Sequence, residues 1–243
     1  MRDRRMFVLR SVLVLALLPV VARAGIRGLH WSDVSITHAD RTAPVVAITF
    51  DDGLNGPTTL AAAETLERYN APGTFFVVAR TITEQPDLAK RLRDHGHLLA
   101  NHSYDHPRAK KTDLRYTQAS RAQATFFAAY GECPTFFRPP WGVQTPWVNG
   151  AVKRDHMRTV LWDVEVADWD EKNPERLAAN VLAKVRPGSI ILLHDGEDGH
   201  IGANRSTTVA ALPAILEGLK ARGLTPVRLD TLLGMAGYQK DCG

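Results

Sequence analysis

Two adjacent carboxylates close the apolar run VVAITFDDG, Val45 to Gly53, and two histidines stand four residues apart in HSYDH, His102 and His106. Neighbouring residues of an extended segment point to opposite faces, so Asp51 and Asp52 look into different surroundings. Like charges side by side repel unless a cation or a proton offsets one of them. An i, i+4 pair of imidazoles is the spacing of one face of a helical turn. Two histidines with one carboxylate form a recurrent set for zinc or another first-row divalent cation, with positions left open for water and substrate. A cation so held lowers the pKa of bound water, which makes a carboxylate a sufficient base. Three more groups could serve the same chemistry: Arg138 after TFF, Asp168 a few residues after TVLWDV, and His194 at the end of SIILLH.

Each of these residues follows a β-rich run. The strand candidates are residues 45–50, 74–79, 97–100, 135–137, 159–164, 189–194 and 225–229, and helical patterns lie between them. Pro57 and Pro86 suit first helical turns, and Gly96, Gly131 and Gly223 suit helix C-termini. Strands alternating with helices predict βαβ units on a parallel sheet. Seven such strands in one domain predict an α/β fold of the distorted (β/α)7–8 barrel type rather than an open doubly wound sheet. The C-terminal ends of barrel strands converge on one mouth, so the polar residues are expected to meet there. No GxGxxG follows the first strand, which removes the usual dinucleotide signal.

Hydrophobic residues make up 44% of the 243 and charged ones 23%, a balance that supports a sizeable core. Residues 1–24 read as a signal peptide: Arg2, Arg4 and Arg5, an apolar run, then Ala22-Arg23-Ala24 before a mature start near Gly25. Arg4-Arg5-Met6-Phe7-Val8 is similar to a twin-arginine signal, with Asp3 in place of the usual Ser or Thr. The uncharged stretch Ser11 to Ala22 is short for a membrane span, so no stable anchor is expected after cleavage. Five of the 30 basic residues and one of the 26 acidic ones fall in 1–24, leaving 25 of each. The mature chain therefore lacks the basic field that would point to nucleic acid. Residues 25–43 form a lead-in segment, whose His30 and His38 read as surface residues, and 44–243 the catalytic domain. Cys133 and Cys242 are too few and too far apart for a metal site; export would permit them to pair, and the spacing leaves that open.

TFDDG (49–53), HSYDH (102–106), RPPWG (138–142), DW (168–169) and LLHD (192–195) resemble, in order and spacing, the five motifs of the NodB-type polysaccharide deacetylases, carbohydrate esterase family four. Residues 204–223 are similar to that family's last helix, and the resemblance covers Pro44 to Leu229. It implies that Asp52, His102 and His106 bind one divalent metal, Zn2+ foremost with Co2+, Mn2+ or Ni2+ also suitable. Asp51 would be the general base, paired with and oriented by Arg138. The Trp141 backbone N–H would stabilise the oxyanion, His194 would be the general acid tuned by Asp168, and Leu192 and Trp169 would wall the acetyl pocket. Trp141 stands where the family often has Tyr or Phe, Asp163 rivals Asp168 in WDVEVADWD, and Asp105 reads as solvated.

The function implied is an exported hydrolase, periplasmic or extracellular, that removes N-acetyl groups from a GlcNAc-containing glycan of the chitin or peptidoglycan type. Its partner would be that acetylated polysaccharide or oligosaccharide, and it would act as a monomer. An O-acetyl xylan esterase of the same family is the near alternative. A non-catalytic glycan-binding relative is the distant one, marked by loss of Asp51, a metal ligand or His194, none of which is lost here.

Overall fold

A computed structural model of the chain describes residues 35–108 and 114–243; the expected leader, its cleavage site and His30 lie outside the described residues. The described elements run β1 (Ser35–Ile36), β2 (Val45–Asp51), α1 (Gly56–Arg68), β3 (Thr74–Val77), α2 (Arg80–Glu84), α3 (Pro86–Asp94) and β4 (Leu98–Asn101). There follow α4 (Thr117–Tyr130), β5 (Cys133–Pro134), β6 (Phe136–Phe137), α5 (Pro146–Arg154), β7 (Arg158–Val160) and α6 (Pro174–Lys184). The chain ends with β8 (Ile190–His194), α7 (Ser206–Ala221), β9 (Thr225–Pro226), α8 (Leu229–Leu233) and β10 (Tyr238–Gln239).

The sheet order is β1-β7-β6-β4-β3-β2-β8, with β9 beside the start of β2 and every pairing parallel. This is the expected distorted barrel, a curled parallel sheet wrapped by helices. Its seam is thin. Among the described residues β8 meets the far edge only through isolated bridges, His38 with Ser189 and Val164 with Ile191. The strand expected over 159–164 is split there: the Leu161 N–H goes to Ile36, whereas Val164 turns to β8. Asp163 belongs to this seam, accepting from Arg41, Ser189 and the Ile190 N–H. It is no partner for His194. His38 is exposed, as expected.

Period two divides β2 between two cores. Val46, Ile48 and Phe50 pack outward with Leu66 of α1 and Leu212, Ile215 and Leu219 of α7. Each such side chain, fully buried, contributes about 1.5–3 kcal/mol. Ala47 looks inward to a cluster with Phe76, Ala100, Phe136, Val160 and Ile190. Leu229 and Leu232 of α8 join that cluster, near the N-terminal end of the barrel, because β9 pairs with Val45 and Val46. Thr49 and Asp51 continue the inward row toward the mouth.

Start and stop signals sit where the sequence places them: Pro57 in the first turn of α1, Pro86 opening α3, and Gly131 ending α4 in a left-handed conformation, φ 67°. Cys133 and Cys242 form a disulfide with Cα atoms 5.9 Å apart, alongside the antiparallel β5–β10 pair. It spans a sequence separation of 109, for which loop-closure entropy alone gives roughly 4–5 kcal/mol. Among the described residues no helix is long and apolar enough to cross a membrane.

Candidate active site

Strand register gathers the polar residues. Asp51 of β2 is the direct partner of His194 in β8, and Asn101 of β4 pairs with Phe137 of β6, so His102 and Arg138 leave the sheet side by side. The loop carrying the histidines is not the helical turn that their spacing suggests. The Asn101 side chain accepts from Ser103 N–H and the Ser103 hydroxyl from His106 N–H, while Ser103 and His106 both take positive φ, 70° and 58°. These side-chain-to-backbone bonds reverse the chain, and they bring the two rings to 4.9 Å between centroids. The glycine after the two acids is required by packing: a Cβ on Gly53 would run into the Asp195 carboxylate.

Asp52 Oδ1 lies 3.0 Å from His106 Nε2 and 3.3 Å from His102 Nε2. One ligand atom from each of the three residues, all buried, lies within 4.8 Å of the other two. His102 Nδ1 stands 2.8 Å from the Arg138 carbonyl, which can only accept, so Nδ1 carries the hydrogen and Nε2 presents its lone pair. His106 Nδ1 is 2.7 Å from Asp198 Oδ1. Burial opposes a charge on Asp52, yet the hydrogen bonds and charges of His102 and His106 outweigh it and hold the carboxyl well below its usual range. Burial also works against a charged His102, and Asp51 with Asp52 raises it all the same. Two imidazole nitrogens and one carboxylate oxygen at this spacing, in a place that favours positive charge, suit a divalent first-row cation.

Asp51 faces a buried cation instead. Arg138 Nη1 donates to Asp51 Oδ1 at 2.6 Å and to Thr49 Oγ1 at 2.8 Å, and its other nitrogens donate to the carbonyls of Val160 and Leu161. Arg138 is wholly buried, with its guanidinium 4.0 Å from the centre of the Phe76 ring. Burial draws its pKa down, against the pull of Asp51.

Across the mouth, Asp168 grips His194 twice: Oδ1 lies 2.8 Å from Nδ1, and Oδ2 accepts the His194 N–H. The Thr208 hydroxyl holds Oδ2 from behind. Nδ1 is thereby the donor to Asp168, and Nε2 is left for the cavity. Burial disfavours the imidazolium, but the Asp168 hydrogen bond and charge, with the charges of Asp52 and Asp51, push His194 up to about 9. It is therefore protonated at neutral pH.

A cavity of about 490 Å³ joins these groups, walled by Leu192, Trp141 and Trp169. The Trp169 ring lies edgewise 5.1 Å from His194, and the Trp141 ring 4.4 Å from His106. Trp141 has φ 54°; the following N–H groups turn back to Pro139 and Pro140, and its own N–H has no acceptor among the described residues. Arg138 and Asp168 lie behind the cavity wall, and Asp105 is at the surface near Arg121.

Sequence reasoning missed three residues. Asp198 and Trp162 line the cavity with no motif to announce them. Asp195, the last letter of LLHD, is buried beside the Thr59 hydroxyl, and burial above all raises it to about 7. An acid directly after a strand-end histidine was the available signal.

The sequence profile of the family described as Polysaccharide deacetylase matches residues 38–160. A peptidoglycan-N-acetylglucosamine deacetylase, PgdA, of Listeria monocytogenes is 34% identical over 197 residues; the match covers 80% of this chain and only 40% of the relative's length. A chitooligosaccharide deacetylase of Bradyrhizobium is 32% identical over 203 residues, covering 80% of this chain and 90% of the relative. Among solved structures, the Bc1960 peptidoglycan N-acetylglucosamine deacetylase superposes with a TM-score of 0.78 at 26% identity, over 86% of this chain and 98% of that one. The chain belongs to the polysaccharide deacetylase family, carbohydrate esterase family four.

Proposed function

We propose that this protein is an exported, metal-dependent N-deacetylase of a GlcNAc-containing glycan, of the chitin or peptidoglycan type. The observation that carries the reading is the pairing of a buried Asp52–His102–His106 triad with an Arg138-held Asp51 and an Asp168-held His194 around one cavity. The names of its relatives favour the N-acetyl reading, because both act on N-acetylglucosamine glycans or chitooligosaccharides. The leader expected over residues 1–24 and the Cys133–Cys242 disulfide favour an oxidising compartment outside the cytoplasm.

A divalent cation, Zn2+ foremost, would be held by Asp52, His102 and His106, and would supply Lewis acidity toward water and the acyl oxygen. Asp51 takes the proton of the attacking water, and Arg138 fixes the direction of its carboxylate. The Trp141 N–H donates to the oxygen that gains charge as the carbonyl carbon becomes tetrahedral. His194 gives its proton to the nitrogen as the C–N bond breaks, so acetate and a free amine leave. Asp168 keeps that imidazole charged and aimed. Leu192 and Trp169 enclose the acetyl methyl and exclude water from it.

Acetate release tests this directly, from N-acetylchitooligosaccharides, from peptidoglycan fragments and from an acetylated xylan, before and after treatment with a chelator and again with Zn2+ restored. Zinc-restored release from an N-acetyl substrate is expected. Release from xylan alone would transfer the protein to the O-acetyl esterases, and no release from any substrate would leave a glycan-binding protein.

A further inference from the structure

Asn55 stands at the N-terminal cap of α1, where an asparagine side chain ordinarily accepts a hydrogen bond from the first turn of its helix. Here it makes no capping bond. The side chain is fully buried and reaches across to the loop of residues 195–203, which follows His194. Its Nδ2 donates to the Asp195 carbonyl at 3.0 Å and to the Ala203 carbonyl at 2.7 Å, and its Oδ1 accepts the Gly202 N–H at 2.6 Å. One amide thus joins the two ends of the loop, with both its hydrogens and its oxygen engaged. A helix cap of the usual kind contributes about 1 kcal/mol, so a side chain turned away from that role has a second task.

The loop requires such a clasp. Gly196, Gly199 and Gly202 give it few side chains to pack, and glycine loses the most freedom on ordering. Asp198 holds a left-handed backbone, φ 50°, which persists only where the surroundings over-determine it. Besides Asn55, Arg80 Nη2 donates to the Gly199 carbonyl at 2.9 Å, and the Gly199 N–H to the Asp52 carbonyl at 3.1 Å. Gly196 lies so close to Asp52 that a Cβ on it would run into the Asp52 carbonyl. The loop therefore rests on the backbone of one residue of the metal triad. It sets the Asp198 carboxylate 2.7 Å from Nδ1 of another, His106. That carboxylate is nearly half exposed, so its direction comes from the loop backbone and not from packing around it.

We propose that Asn55 is a positioning residue for the metal centre: by closing the loop of residues 195–203 it aims Asp198 at His106, and so sets the affinity of the Asp52–His102–His106 triad for its cation. Arg80 is the lesser strap of the same loop. The inference rests on the metal-dependent reading of the triad. It extends control of that site to a residue just beyond the TFDDG motif, whose side chain bonds to none of the three ligands.

Zinc affinity, measured by competition with a chromophoric chelator, tests this on the unchanged protein, Asn55→Ala, Asp198→Asn and the double variant. Asn55→Ala should weaken zinc binding about tenfold, the low end of what loss of a partner behind a ligating histidine costs. In the Asp198→Asn background the same change should cost less than about threefold, because the loop then has no carboxylate to aim. An equal cost in both backgrounds would mean that Asn55 acts elsewhere. No cost in either, with only a lower thermal midpoint of the metal-free protein, would mean that it holds the loop and not the metal; each result overturns the proposal. If Asn55→Ala does not fold, Arg80→Ala decides. It should lose zinc affinity in the same direction and by less, and unchanged affinity there would defeat the inference. Glu84→Gln, which frees Arg80 from its helical neighbour but leaves Gly199 held, should change nothing. The readout is zinc binding and not acetate release, so the parent reading fails separately. An unchanged protein that binds no zinc ends both, whereas one that binds zinc and releases no acetate ends only the deacetylase reading, and the same variants still judge the clasp.

Discussion

The two sides of the mouth use the same pair of charges in opposite ways. On one side the cation is sealed in: Arg138 is fully buried and turns the Asp51 carboxylate toward the cavity. On the other side the anion is sealed in: Asp168 is buried and turns the His194 imidazole toward the same cavity. In each couple the inner partner is fixed by several hydrogen bonds, four for Arg138 and three for Asp168. The outer partner is free to exchange a proton. The lesson is that an ion pair at a strand end does not reveal which partner reacts; burial and hydrogen-bond saturation do. A guanidinium cannot give up its proton, so the Arg138 couple delivers a base. A buried carboxylate raises a histidine, so the Asp168 couple delivers an acid.

The comparison breaks first if the outer members are not the proton carriers. Asp51→Asn should keep the metal, measured by elemental analysis, and lose about 10²–10⁴-fold in kcat. His102→Ala should lose both metal and activity. Equal metal loss in the two variants would mean that Asp51 is a ligand and not the base. Next in size is the cost of opening the sealed cation. Arg138→Met leaves a carboxylate without its buried partner, and unfolding by denaturant should show a loss of about 3–5 kcal/mol. A loss under 1 kcal/mol would mean that water already reaches this couple.

The acid side makes a pH prediction. His194 has its pKa raised in the folded protein from an ordinary 6.5 to about 9. The stabilisation from its couple with Asp168 is therefore complete below pH 6.5 and is lost as pH rises through about 9. Activity that needs the imidazolium should fall over the same alkaline interval. Asp168→Asn removes the raising charge, so the alkaline limb of kcat should move toward neutrality while the acid limb stays in place. An unmoved alkaline limb would assign it to another group.

The chemistry of the mouth was legible in the sequence because it is written at strand ends, where one polar residue breaks an apolar run. Asp51 and Arg138 directly follow strand candidates and His194 closes one, and the sheet register merely brings those ends together. The seam and the tail were not legible. β1, β5 and β10 are two residues each, too short for any period, and they exist only because a partner strand lies beside them. The loop from His102 to His106 misled for a related reason. Its i, i+4 spacing fits a helical turn, but the side chains of Asn101 and Ser103 compete for the backbone and win. The cysteine pairing depends on β10 reaching β5, which no local pattern in the last residues foretells.

Asp198 is the finest discriminator between the two sides. It sits in a loop of glycines and acids, residues 195–199, that reads as an ordinary turn, yet its Oδ1 lies 2.7 Å from His106 Nδ1. The loop is strapped in place: Asn55 holds Asp195, Gly202 and Ala203, and Arg80 holds Gly199. A carboxylate beside the second nitrogen of a ligating imidazole orients the ring, and removal of such a partner costs about 10–100-fold in metal affinity. Asp198→Asn should therefore weaken zinc binding in competition with a chromophoric chelator, while kcat at saturating zinc and the alkaline limb set by His194 both stay put. Glu197→Gln, one residue away at the exposed rim of the cavity and near Arg205 rather than an imidazole, should change neither. If Asp198→Asn moved the alkaline limb instead, the charge would be acting on the acid couple across the cavity, and the two sides of the mouth would not be electrostatically separate.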